Sequence, residues 1–274
     1  MSLNVFGCPQ ISSLSEHKGL LANQNRAHTA LHHSCGIWTQ ASYINHSCTS
    51  TARRSFIGDM MIVRATQDLA PGSEITFWYQ LPDGYLKTMQ KKLEPGWGFT
   101  CDCAICEHEK GTKPTVVAQR RKLLDELKRT SHQSAQHNIN LTKMERLLTT
   151  VDNSYSCPAD EVPRLLLWDP QLFLARIYLV QKKMVKALGA LHKVFALLGF
   201  TVIGLDSTPT VFQVVKWGLV VDHLVEAFLV VRRAFEWNRA YGDAETAEAY
   251  AKTVYKIVVG EDTSFESTYI EQEC

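Results

Sequence analysis

The chain has 274 residues, of which 45% are hydrophobic and 21% charged, with 29 Lys and Arg against 28 Asp and Glu. That is enough apolar material for one large domain or two ordinary ones, and a formal charge of +1 gives no electrostatic reason to expect nucleic acid or an anionic membrane as partner. The most apolar run, residues 194–205, contains Gly199 and Gly204 and is too short to span a bilayer, and the opening "MSLNVFGCPQ" lacks the basic and apolar parts of a secretion signal. The expectation is an intracellular protein, nuclear or cytoplasmic and not secreted.

Residues 1–36 are polar, rich in His, Asn and Ser, and weakly periodic; they predict an irregular segment with a short helix near residues 16–25. From Arg53 the pattern sharpens. "RRSFI" and "MMIVRAT" flank Gly58-Asp59, a two-residue turn of the kind that closes hairpins. "DLAPGSE" supplies another turn, and "EITFWYQL" reads as a strand with Ile75, Phe77 and Tyr79 on one face. Residues 53–81 are therefore expected to form three short strands.

After Cys106 the character changes. "EHEKGTKPT" reads as a charged linker, placed at residues 108–114, and the remainder to residue 274 is helical in period. Asp169-Pro170 predicts a helix start with Asp at the cap. Met184, Leu188, Leu191, Phe195 and Leu198 predict a helix ended by Gly199 in the left-handed conformation. Trp217, Val221, Leu224, Phe228, Val231 and Phe235 predict one longer helix, and Ala247, Tyr250, Ala251, Val254 and Val258 another. "YLVQKKMVKALGALHKVFALLG" fits a helical hairpin of the tetratricopeptide kind, without a clean 34-residue repeat. The basic stretch "AQRRKLLDELKR" carries leucines at helical spacing and reads as a solvated helix face, not a nucleic-acid patch.

Three of the eight cysteines, Cys101, Cys103 and Cys106, fall within "CDCAIC". In a chain without a secretion signal, thiols this close favour a metal over disulfides, and zinc wants four tetrahedral ligands. Spacing alone leaves the fourth open among Cys48, Cys35, His108 and His46. His28, His32, His33 and Cys35 are a weaker group, better explained as a polar loop.

"NHSC" (Asn45 to Cys48), "RATQDLAPGSEITFWY" (Arg64 to Tyr79) and "WGFTCDC" with "AIC" (Trp97 to Cys106) together resemble the C-terminal half of a SET domain followed by a post-SET zinc segment, over residues 37–107. The helical tail is similar to that of fungal SET proteins carrying tetratricopeptide repeats. The resemblance implies an α+β fold: a small β-rich SET-like part with a cysteine–zinc knot, then an all-α region at residues 115–274. It also implies a protein-lysine methyltransferase using S-adenosylmethionine and acting on a lysine-containing protein. Under it Tyr79 is the catalytic tyrosine, Asn45, His46 and Phe99 lie at the cofactor, and Cys48 joins Cys101, Cys103 and Cys106 around Zn2+.

The sequence departs from that family's pattern at four places. Ser50-Thr51 replaces a usual Pro-Asn, the run Ala52-Arg53-Arg54 precedes the strand, and Trp78 stands beside the catalytic position. No Gly-x-Gly segment is found in residues 1–44. The expectation drawn from this is a SET domain that has lost its N-terminal half, or a chain begun at an internal methionine, with one wall of its cofactor pocket open. Whether it is active as this chain is left to experiment. The alternative to an enzyme is then a non-catalytic, zinc-stabilised interaction scaffold with a helical tail.

Overall fold

The computed structural model describes residues 6–9, 32–82, 85–132, 140–205 and 211–270, with no account of the side chains of 6–9, 32–35 and 132. Small two-stranded sheets occupy the N-terminal part and helices most of the rest, so the mixed fold class stands. The helix expected near residues 16–25 and the His28 group lie outside the described residues and side chains.

Strand β1 (Phe6–Pro9) pairs antiparallel with β2 (His32–Gly36) inside the stretch read as irregular. Both strands are too short to show an alternating pattern in sequence. The expected hairpin is present: β4 (Ala52–Ile57) pairs antiparallel with β5 (Met60–Ala65), Arg53 opposite Arg64, around Gly58-Asp59. The third strand differs. Only Thr76–Phe77 (β6) is extended as a strand, and it pairs in parallel with Asn45–His46 (β3) rather than with the hairpin. Its alternation still decides which way each side chain goes. Phe77 and Trp78 are buried and Tyr79 is half-buried, while Ile75, expected on the same face, is 48% exposed.

Helix α1 (Leu86–Trp97) carries Met89, Leu93 and Trp97 at four-residue spacing, and the first two are fully packed. Pro95, in its last turn, has no N–H to donate to the Lys91 carbonyl. The stretch read as a linker is largely helical: α2 (Ala104–Gly111) starts at Cys103, with Glu107 near its positive end and Lys110 near its negative end. Helices α3 (Pro114–His132), α4 (Leu141–Asp152), α5 (Trp168–Val180) and α6 (Met184–Leu197) follow. A short pair, β7 (Thr201–Ile203) and β8 (Gln213–Lys216), precedes α7 (Leu224–Trp237), α8 (Tyr241–Val259) and α9 (Phe265–Tyr269).

Gly199 ends α6 with φ +82°, as expected. Asp169 sits inside the first turn of α5 rather than at its cap. The helix expected from Trp217 starts only at Leu224, because tertiary pairing overrides the periodicity. Gln213–Lys216 is drawn into β8, and Leu219 donates its N–H to the Leu198 carbonyl at 2.8 Å. Gly218 lies so close to that backbone that a Cβ there would sit 2.3 Å from the Leu198 oxygen. The α5–α6 and α7–α8 hairpins close with the same turn, Lys182 and Arg239 each taking a left-handed conformation. In both, the next residue donates back across the turn, Lys183 to Tyr178 and Ala240 to Phe235.

Two apolar cores result. The larger unites α3–α8 and includes Trp78. The smaller joins Met89, Leu93 and Ile105 to Cys48, Cys101 and Cys106, with Tyr79, Trp97 and Phe99 against it. Trp78 and Tyr79 are thus neighbours in sequence that point into different cores.

Candidate functional site: four cysteines beside an aromatic cluster

The parallel β3–β6 pair builds the site. It sets His46 opposite Phe77 and so brings the turn containing Cys48 alongside Tyr79. The second wall is the C-terminal end of α1 and the segment leading into α2. There Gln90 grips the backbone of Cys101 at both ends, donating to its carbonyl at 2.8 Å and accepting its N–H at 2.9 Å. Cys103 at the helix start and Cys106 in the first turn then present sulfur to the same side.

The sulfurs of Cys48, Cys101, Cys103 and Cys106 all lie within 4.8 Å of one another. Cys48 Sγ is 3.8 Å from Cys106 Sγ and 4.0 Å from Cys101 Sγ. A tetrahedral zinc with sulfur at about 2.3 Å requires sulfurs about 3.8 Å apart, so the donor set and its dimensions fit zinc. The thiols interact as one titrating group. Hydrogen bonding with Cys101 pushes Cys48 far up, whereas Cys103, Cys106 and Cys48 together hold Cys101 far down.

Of the other candidate fourth ligands, His108 turns away: its ring stacks on Tyr155 and its Nε2 is 3.4 Å from Ser156 Oγ. His46 is buried and joins the two halves of the site. Its Nδ1 accepts the backbone N–H of Tyr79 at 3.0 Å, which in the neutral ring leaves the proton on Nε2, 3.5 Å from Cys48 Sγ. An N–H directed at a ligating thiolate is a common outer-sphere partner.

Tyr79 is half-buried and its hydroxyl donates to the Ile44 carbonyl at 2.8 Å. Rings surround it: Trp97 at 5.4 Å, His46 at 5.6 Å, Phe77 at 5.8 Å and Phe99 at 6.1 Å between centroids. Burial raises its phenol above the ordinary range, against the charge of Arg54, so it remains a neutral hydroxyl at neutral pH. Arg54 lies over Phe77 at 4.9 Å, and burial, then the like charge of Arg53, brings it down to about 10. Asn45 is exposed and its amide donates to Glu74 Oε1 at 2.8 Å. Gln90 was not singled out from the sequence, and Trp97 only as the start of "WGFTCDC", although it continues the Met89–Leu93 spacing.

The parallel strand pair carries Asn45-His46 beside Tyr79 and ties Cys48 to a three-cysteine segment, and residues 11–80 match the family model of the SET domain. The relatives extend the likeness. The chain is 34% identical over 276 residues to a methyltransferase of Gibberella zeae, covering 95% of this chain and 36% of that protein. It is 38% identical over 73 residues to the histone-lysine N-methyltransferase ASHR1 of Arabidopsis thaliana, covering 27% of this chain and 15% of that protein. To the protein-lysine N-methyltransferase SMYD4 of Mus musculus it is 27% identical over 111 residues, covering 40% of this chain and 13% of that protein. The chain thus spans about a third of the length of the Gibberella protein. No helix among the described residues is long and apolar enough to cross a membrane.

Proposed function

We propose that this chain carries the lysine-accepting and zinc-bearing part of an S-adenosylmethionine-dependent protein-lysine methyltransferase. The observation that carries the reading is the position of His46, hydrogen-bonded to Tyr79 on one side and facing the Cys48 sulfur on the other. One residue thereby couples the proposed catalytic tyrosine to the proposed metal.

Cys48, Cys101, Cys103 and Cys106 would hold Zn2+ as a closed, four-sulfur structural site, with no open position for substrate. The rings of Tyr79, Trp97, Phe99 and Phe77 offer π faces to cationic groups, which suits both a sulfonium and an alkylammonium. S-adenosylmethionine, when bound, supplies an activated methyl group on sulfur; Asn45, His46 and Phe99 are the residues proposed to line its site. Tyr79 stays protonated and can hold the attacking lysine nitrogen by its hydroxyl oxygen once it leaves the Ile44 carbonyl. Aim and proximity then contribute most of the rate. The lysine amine must give its proton to solvent before attack, because only the neutral nitrogen has a free electron pair. The partner is a lysine-bearing protein segment.

The test is zinc stoichiometry together with calorimetric titration of S-adenosylmethionine and a methyl-transfer assay on lysine-containing peptides. The reading expects one zinc per chain, cofactor heat, and transfer lost in Tyr79→Phe with zinc retained. Zinc without cofactor binding or transfer would instead support the scaffold.

A further inference from the structure

Two of the departures from the SET pattern, Arg53 in the "ARR" run and Trp78 beside Tyr79, turn out to be in contact. The Arg53 guanidinium carbon lies over the Trp78 ring, 4.1 Å from its centroid. Arg53 also forms an ion pair with Asp222, just ahead of α7 in the helical region. The Trp78 indole N–H donates to the carbonyl of Cys48 at 3.0 Å. A continuous series of contacts therefore runs from a helical-region carboxylate, through a guanidinium and an indole, to the backbone of a proposed zinc ligand.

Each link is directional, and the series is shielded from water. Trp78 is 8% exposed, and the Arg53 and Asp222 side chains are 12% and 21% exposed. A cation over an aromatic face gains strength as it is desolvated, and Asp222 supplies the countercharge that makes burial of Arg53 tolerable. An indole has one donor and no acceptor, so with the ring wedged in the larger core its N–H fixes where the Cys48 carbonyl must be. That carbonyl belongs to the one metal ligand contributed from outside the Cys101–Cys106 segment.

We propose that Asp222, Arg53 and Trp78 are positioning residues for Cys48, and that through them the helical region holds the long-range ligand at the metal. The proposal rests on reading the four cysteines as a zinc site. It also explains why the two unusual residues occur together: Trp78 without Arg53 would leave an uncovered ring face, and Arg53 without Asp222 a buried charge.

The experiment follows zinc release from the full chain to a chromogenic chelator in the wild type, Asp222→Asn, Arg53→Met, Arg53→Lys and the Asp222→Asn/Arg53→Met double variant. Loss of outer-sphere support is expected to speed release by about tenfold in Asp222→Asn and in Arg53→Met. Because both act through one series, the double variant should release no faster than the faster single one. Arg53→Lys keeps the charge but not the planar cation over the ring, and should fall between wild type and Arg53→Met. Release within about twofold of wild type in both single variants, or effects that multiply in the double variant, would overturn the proposal. If Arg53→Met does not fold, Asp222→Asn decides alone. A wild-type chain that takes up no zinc refutes the metal reading instead. The positioning role is then decided by the alkylation rate of Cys48, followed by peptide mass. Faster labelling in Asp222→Asn supports it, and equal labelling overturns it.

Discussion

The Tyr79 backbone N–H donates to His46 Nδ1 at 3.0 Å, and the opposite nitrogen of the same ring lies 3.5 Å from Cys48 Sγ. A single imidazole thus serves a strand end and a sulfur cluster at once, and its tautomer is set by the first contact. His46→Ala would strip a half-buried N–H of its acceptor and the Cys48 sulfur of its donor. The expected cost is about 1–3 kcal/mol of stability. Zinc affinity should fall by about tenfold or more. Urea unfolding and chelator competition measure the two; unchanged zinc affinity would place the ring outside the metal's surroundings.

Removal of the metal should separate the two cores. Cys48, Cys101 and Cys106 are part of the packing of the smaller core, whereas the larger one needs no sulfur from the cluster. Metal binding free energy is folding free energy for the elements it ties. Excess chelator is therefore expected to release the amide protection of α1, α2 and the Cys48 turn while that of α6–α8 persists. Cys48→Ser should abolish stoichiometric zinc and His108→Ala should leave it intact. Hydrogen exchange and metal analysis report each, and zinc lost in His108→Ala alone would put the fourth ligand elsewhere.

What was legible in the sequence follows the range of the interactions. The Cys101–Cys103–Cys106 spacing and the Gly58-Asp59 hairpin are local, so residue order alone displays them. Cys48 reaches that cluster across 53 positions to Cys101, and only the resemblance to a SET domain singled it out. Trp97 is visible in sequence only as the start of "WGFTCDC", and its place beside Tyr79 depends on the helix continuing through Pro95-Gly96. Trp217 sits on a genuine helical period, yet Gly218 and Leu219 are bound to the end of α6 and hold that segment out of the helix. The pairing of Arg53 with Trp78 has no sequence signal, because it depends on how the hairpin docks on the helical region.

The hairpin face that carries Arg53 also carries buried polar atoms without partners. Thr66 is 3% and Ser55 2% exposed, and neither hydroxyl is hydrogen-bonded among the described residues. A buried hydroxyl that lost its water without gaining a partner is a net cost, and replacing it by a methyl of the same shape removes that cost. Thr66→Val is accordingly expected to stabilise the chain by about 1 kcal/mol in chemical unfolding. Destabilisation of similar size would mean that an ordered water or ion satisfies the hydroxyl in solution.

At the start of α7, Glu226 pairs with Arg176 and accepts from His223 Nδ1 at 3.2 Å. Burial works against the Glu226 carboxylate, but the His223 hydrogen bond and the Arg176 charge outweigh it and bring its pKa down from 4.5 to about 2. His223 moves the other way: its hydrogen bond to Glu226 raises it above 6.5 against burial, aided by Asp222 and Asp169. A depressed acid stabilises the fold fully above its unfolded pKa and loses that contribution as pH falls through the folded value. A raised base stabilises fully below its unfolded pKa and loses that contribution as pH rises through the folded value. Both contributions are fully present together only between pH 4.5 and 6.5, the two unshifted values. The stability difference between wild type and Glu226→Gln, measured by urea unfolding across pH, should peak in that window. It should shrink toward pH 2 as the carboxylate protonates, and shrink above the raised His223 value as the imidazolium is lost, leaving Arg176 as the remaining cation. A difference that stays level across the range would show that the cluster contributes no charge-dependent stability.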